Sequence, residues 1–106
     1  MAAIGFLEVH GYGTAMHAMD QACKAAEVSI EGIDVNNPLL GDGARIPIIV
    51  QVKFSGNVSN VRAALDAAHK AARLYNDEHE IKTHFIANAA ESLQPLIARG
   101  KVVKKC

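Results

Sequence analysis

Five histidines, two cysteines and eleven carboxylates are the side chains of this 106-residue sequence with the means to do chemistry. His10, His17, His69, His79 and His84 contain no i, i+4 pair and have no His-x-Glu or Cys-x-x-Cys companion, so the spacing of a protein-built metal site is missing and no metal is expected. His10 closes the first strand and His79 precedes the fourth, which would let those two meet in space. Gly11-Tyr12-Gly13 stands between a strand and a helix, as a nucleotide-binding turn does. The G-x-G-x-x-G pattern would need glycine at position 16, which is Met16, and no Gly-Lys-Ser/Thr follows, so the segment reads as a tight turn. Cys23 falls inside an alanine-rich helix, where a buried, inert thiol is the ordinary outcome. Cys106 is the last residue. Two scattered cysteines make neither a disulfide framework nor a zinc site, and both thiols are expected to be reduced, as in a cytosolic protein. A catalytic pair of carboxylates needs environments that drive their pKa values apart. Asp34 and Asp42 flank one irregular segment, but nothing in the sequence fixes them. No catalytic residue and no cofactor is expected.

That irregular segment is the most informative stretch. Val35-Asn36-Asn37-Pro38-Leu39-Leu40-Gly41-Asp42-Gly43-Ala44-Arg45 carries two Asn, one Pro and two Gly, which marks a loop. It exceeds the two to about five residues usual between adjacent strands, and long loops in compact domains tend to be functional or disordered. Gly41 and Gly43 permit positive φ on both sides of Asp42, which would turn backbone amides and one carboxylate into a shared space. A plain surface turn fits the same residues, and a single chain leaves both readings open.

The elements that must position this loop follow from periodicity. Ala3-Ile4-Gly5-Phe6-Leu7-Glu8-Val9 is a nearly all-apolar strand ended by Gly11 and Gly13. Thr14 to Glu27 is a helix with Ala15, Met19, Ala22 and Ala26 on one stripe and Thr14 as its N-cap. Val28 to Ile33 alternates as a strand with one buried face. Ile46 to Phe54 is the strongest strand, with Pro47 tolerated near its start, and Ser55-Gly56-Asn57 is a turn whose Asn57 caps the next helix. Val58 to Tyr75 is that helix: Val58, Val61, Leu65, Ala68, Ala72 and Tyr75 form its apolar stripe. Ile81 to Ile86 is the fourth strand, and Ala89 to Ile97 a short helix started or interrupted near Pro95. The order β-α-β-β-α-β-α, with right-handed crossovers, puts both long helices on one face of a single sheet, a ferredoxin-like α+β sandwich with a C-terminal short helix. One domain is expected over 1–98, followed by a basic, disordered tail over 99–106.

Composition narrows the partners. Lys plus Arg and Asp plus Glu are each 11, so the formal net charge is zero. The cationic surplus of a nucleic-acid binder is missing. No apolar run reaches the ~18 residues of a membrane span, and the opening residues lack the charged region and long apolar core of a signal peptide. Apolar residues make up 50% of the chain. In so small a domain, rich in alanine, that surplus points to completion of the core by oligomerisation.

Taken in order, these segments resemble the shell domain of bacterial microcompartments, in its single-domain, hexamer-forming type. Ala3 to Gly11 is similar to that family's first strand, with its apolar run, Glu and Gly. Ala15 to Val28, including Asp20 and Lys24-Ala25-Ala26, is similar to its first helix. Ile48 to Val58 resembles the third strand and the glycine-led entry to the second helix, Val61 to Arg73 the alanine-rich helix, and His84-Phe85-Ile86 the fourth strand. The resemblance spans residues 3 to roughly 97. It implies a cyclic homohexamer in the cytoplasm that tiles edge to edge with itself and with other shell proteins around encapsulated enzymes, without nucleic acid or membrane. It implies that Asn36 to Arg45 lines a pore on the six-fold axis, with Gly41, Asp42, Gly43 and Arg45 as lining residues, and that Lys24 and Asn88 stand at the edge between hexamers. Two departures accompany the resemblance. The loop is several residues longer than the family's, and Asn88 occupies the place of an edge arginine, which offers two N–H donors in place of five. A different class also places a long loop between its second and third strands on a ferredoxin-like fold: the PII-like trimeric sensors. Those need a phosphate cradle at subunit clefts, and no glycine-rich or basic segment here supplies one.

Overall fold

The computed structural model describes residues 3–36, 48–87 and 102–105. Strand β1 (Ala3–His10) leads through Gly11 into helix α1 (Tyr12–Ala25), then come β2 (Ser29–Asn36), β3 (Ile49–Gly56), α2 (Val58–Ala72), β4 (Lys82–Ile86) and β5 (Val102–Lys105). The strands form one antiparallel-paired sheet in the order β4-β1-β3-β2-β5. The first four strands and two helices are the expected ferredoxin-like sandwich, with α1 and α2 on one face. The expected short helix over 89–97 lies outside the described residues.

Alternation decides which side chains face the helices. Leu7, Val9, Val50, Val52 and Phe54 are fully buried there, against Ala15, Ala18 and Ala22 of α1 and Val61, Ala64 and Ala68 of α2. The many alanines let the helices approach the sheet closely. Gly5 takes that approach to its limit: a Cβ there would stand 2.8 Å from Val61 Cγ1. In β2 the register slips between Ile30 and Gly32. This bulge around Glu31 puts both Ile30 and Ile33 into the core, 3% and 2% exposed, although they stand three residues apart.

The other sheet face carries Ile4, Phe6, Glu8, Gln51, Lys53, Ser55 and Asp34. Ile4, Phe6 and Ile86 make a small apolar group there. Beside it Lys53 pairs with Asp34, and the Ser55 hydroxyl donates to Glu31 at 2.9 Å.

Several boundaries differ from the expected ones. α1 begins two residues early, because Gly11 at φ 96° makes the turn and its amide bonds Ile48 O at 2.8 Å. Gly11 is therefore the N-cap, without a side-chain bond, and Thr14 is buried within the first turn. Asn57 caps α2 as expected, accepting from the Asn60 amide at 2.8 Å. α2 ends at Ala72, which leaves Tyr75 49% exposed, and Val58, at the helix start, is 41% exposed; both were expected on the buried stripe. Ser55 and Gly56 belong to β3, paired with Ile4 and Ala3. A single 3-10 turn, Glu78–Glu80, precedes β4, with Asp77 and Glu80 capping one another. Residues 102–105, expected within a disordered tail, pair antiparallel with β2 as Ser29↔Lys105, Ile30↔Lys104 and Ile33↔Val102. The outer edge of β2 offers unpaired backbone groups, which a returning chain end satisfies.

Candidate functional site: the two ends of the sheet

Register sorts the residues of interest to opposite ends of one sheet. His10, Ile49 and Asn36 stand side by side across β1, β3 and β2, and the segment 37–47 leaves and re-enters the sheet at this end. Ile4, Ser55 and Ser29 mark the other end. α1 starts beside His10 and runs back across the sheet, so Lys24, in its last turn, belongs to the Ser29 end. Fourteen helical residues span about 21 Å and eight strand residues about 26 Å. The root of the loop and Lys24 therefore stand on the order of 20 Å apart.

The loop root is tied down by backbone bonds. Gly11 N donates to Ile48 O, and Asn76, 2% exposed, clasps His10 from both sides. Its Oδ1 accepts from His10 N at 2.8 Å, and its Nδ2 donates to His10 O at 3.0 Å. Asn76 thus takes the place of a further strand partner at the end of β1, and links the turn after α2 to the loop root. Glu80, not His79, is the side chain that reaches His10: Glu80 Oε2 lies 4.0 Å from Nδ1, while the other oxygen accepts from the Asp77 amide at 2.8 Å. His10 Nδ1 is buried without a hydrogen bond, and His79 is exposed. Gly41, Asp42, Gly43 and Arg45 lie outside the described residues, as does Asn88.

At the opposite end Lys24 is exposed, and its Nζ lies 2.8 Å from Asp20 Oδ2 one turn earlier. The hydrogen bond from the Lys24 ammonium holds the Asp20 carboxyl below its ordinary range. The ammonium also faces the negative end of the helix dipole. Sequence reasoning placed Asp20 and Lys24 in the same helix without drawing this bond. Their i, i+4 spacing is the signal that would have done so. An open depression of about 370 Å³ is lined by the consecutive residues Cys23 to Val28. Cys23 is half-buried against the core and disulfide-bonded, which corrects the expectation of an inert reduced thiol. Helical position alone carries no information about what the fold brings to that face.

The remaining histidines are scattered into separate contacts. His17 Nδ1 lies 2.7 Å from the Tyr75 hydroxyl, with the rings edge to face at 5.5 Å. His69 Nε2 lies 2.6 Å from Glu78 Oε1, and Arg73 holds the other Glu78 oxygen at 3.2 Å. His84 is exposed on β4. Among the described residues no three potential ligands converge.

Comparison with known proteins agrees with this layout. The family model described as "BMC domain" matches residues 3–89. The chain is 34% identical over 92 residues to the carboxysome shell protein CcmK2 of Synechocystis sp., covering 87% of this chain and 81% of that protein. It is 33% identical, with the same coverage, to CcmK2 of Thermosynechococcus vestitus. Among solved structures, a microcompartments protein from Desulfitobacterium hafniense superposes with a TM-score of 0.69 over 92% of this chain at 21% identity. This chain spans about half of that one, 47%, and the likeness concerns the fold.

Proposed function

Because the chain belongs to the BMC domain family, we propose that it assembles as a cyclic homohexamer, tiles edge to edge into a microcompartment shell, and passes small metabolites through a pore on its six-fold axis. Its role is structural, in the shell of a bacterial microcompartment within the cytoplasm, as family membership and the curated shell-protein relatives indicate. The observation that carries the finer reading is the division of the sheet. A hexagonal tile needs its aperture at one end of each subunit and its outer contact at the other. The loop root at Asn36 and Ile48 and the exposed Lys24 stand at those opposite ends.

In this arrangement Gly41, Asp42, Gly43 and Arg45 line the pore. Cyclic symmetry turns one Asp42 into a ring of about six carboxylates, which attracts cations and repels anions except where Arg45 offsets it. Lys24 and Asn88 make the contacts between hexamers, and other shell proteins of the same compartment join at the same edges. Enclosed enzymes are further partners. The chain itself carries out no reaction.

Native mass in dilute, moderately salted buffer tests the ring. A mass of about six chains is expected from closed six-fold symmetry. A mass of three chains would overturn the hexamer and put the trimeric sensor in its place. Sheets or tubes at high protein concentration are the expected sign of tiling.

A further inference from the structure

The outer edge of β2 is held by β5, and the two strands differ in charge. β2 (Ser29–Asn36) carries Glu31 and Asp34 and no base, whereas β5 (Val102–Lys105) carries Lys104 and Lys105 and no acid. The register sets Lys105 opposite Ser29 and Lys104 opposite Ile30, so the basic half of β5 runs along the half of β2 that holds the Glu31 bulge. β5 packs chiefly on β2, and on no other element to a comparable extent. Its pairs end at Ile33, and Asp34, Val35 and Asn36 have no partner on that side among the described residues. We infer that this edge is a strand-docking site for an extended basic segment, that its resident occupant β5 is exchangeable, and that the segment replacing it is the same run of a second copy of this chain. The site depends on the pairing of β2 with β5, and not on the ring.

Backbone hydrogen bonds give a docked strand its affinity, and they do not depend on which chain brings it. A second copy presents the same donors, acceptors and lysines, so exchange of an identical element between copies costs little. β5 has four residues and its register against β2 shifts between Ile30 and Ile33, while β1 and β3 pair without a shift along eight. The short, interrupted pairing is the one that opens first. Once it opens, β2 is left with a row of unpaired backbone groups that invites another strand.

Charge selects the occupant. A second β2 would bring two acids to an edge that already holds two, and like charges across a strand pair are destabilising. A strand with lysines is attracted instead, and the run of residues 102–105 is such a strand. An incoming segment longer than β5 also gains the half of the edge from Asp34 to Asn36. Where neighbouring chains are held close, their effective concentration favours the exchange. Each exchanged strand then ties one chain to the next through backbone bonds.

The test uses the full chain carrying Val102→Pro and Val103→Pro together, in reducing buffer so that no disulfide tethers a segment. Consecutive amides of a strand point to opposite sides, so one of the two prolines removes a ladder donor while both lysines stay. The outward β2 amides of this variant are expected to exchange at least about tenfold faster than those of the parent, with the pairing of β1 and β3 kept. Adding an unlabelled peptide of residues 98–105 to the isotope-labelled variant is expected to restore their protection. The same peptide carrying Lys101→Glu, Lys104→Glu and Lys105→Glu is expected to leave them exposed. Unlabelled parent chain is expected to restore protection as the basic peptide does. Unchanged β2 exchange in the variant, or no rescue by the basic peptide, would overturn the docking site. Equal rescue by both peptides would overturn selection by charge, and rescue by the peptide but not by the parent chain would overturn the second copy as occupant. If the proline variant unfolds as a whole, Lys104→Glu with Lys105→Glu takes its place, with faster β2 exchange and the same rescue expected. Native mass of the parent keeps this apart from the ring: a mass other than six chains removes the ring and leaves the docking site standing.

Discussion

The Lys53 ammonium stands 2.7 Å from the Asp34 carboxylate on the sheet face turned away from the helices, and the two are unequally exposed, 5% for the lysine and 34% for the aspartate. Their inequality predicts an asymmetry between the two single substitutions. Removing one partner of a buried ion pair strands the other charge at a cost of about 3–5 kcal/mol, and exposure of the survivor reduces that cost. Asp34→Asn withdraws the carboxylate from a buried ammonium that keeps further interactions, and is expected to destabilise by about 2 kcal/mol, below the range for a stranded charge. Lys53→Met leaves a carboxylate that water reaches, and is expected to cost about 1 kcal/mol or less. Urea denaturation of both variants checks the order. A larger loss for Lys53→Met would mean that the lysine's stem, not its charge, dominates.

Gly5 marks a close approach of α2 to β1. Alanine there brings a Cβ to 2.8 Å from Val61 Cγ1 and 3.0 Å from Leu65 Cδ1, and overpacking of this kind costs about 1–3 kcal/mol. Val61→Ala added to Gly5→Ala should restore part of the loss. A double-mutant cycle by thermal denaturation reads the coupling, and strict additivity would show that α2 shifts freely.

Asn76→Ala removes both hydrogen bonds that hold the end of β1. Each orphaned buried backbone group costs about 1–3 kcal/mol, so a total loss of about 2 kcal/mol or more is expected. Hydrogen exchange at the His10 amide should accelerate in step. Unchanged protection at His10 would show that β1 is held by its neighbouring strands alone.

Much of this fold was legible in the sequence because its periodicities are clean. Val61, Leu65, Ala68 and Ala72 repeat at three and four and are buried as expected. The order of four strands and two helices followed from the same patterning. What escaped notice depends on partners distant in the chain. Asn76 falls just past the expected helix and drew no notice there, yet its side chain serves residue 10. Residues 102–105 read as a cationic tail because β-pairing to an edge is a backbone property that polar side chains do not advertise. Glu31 read as part of an unbroken alternation, since a bulge shows only against a paired strand. Of the candidate site, Lys24 was singled out by resemblance alone, and its edge role stands as a proposal; its bond to Asp20 and the disulfide at Cys23 were not drawn.

The bond between Asp20 and Lys24 sets a pH dependence. The Lys24 hydrogen bond lowers the Asp20 pKa from 3.8. Because the folded-state value is the depressed one, the stabilisation is present above the ordinary value and is lost as pH falls through the lowered one. The pair is therefore intact at neutral pH. A carboxyl-carbon NMR titration should give Asp20 a midpoint below 3.8 in the parent chain, and Lys24→Ala should return it towards the ordinary value. An Asp20 midpoint unmoved by Lys24→Ala would remove the lysine as its cause.

In the proposed pore, Asp42→Asn would strip the ring of its carboxylates while leaving Gly41 and Gly43 in place. The native mass is expected to stay at that of the parent, and the preference of the pore for cations over anions, measured by conductance across a planar bilayer-supported layer, to fall. Dissociation of the ring on this substitution would show that Asp42 holds subunits together.

Under the proposed assembly, separation of the loop root from Lys24 along the sheet would leave aperture and perimeter free to vary independently. Chains that share one perimeter can carry different apertures and still lie in the same lattice. A compartment wall made from them becomes a mosaic, whose permeability is set by the proportion of each tile and adjusted by expression level, without redesign of any seam.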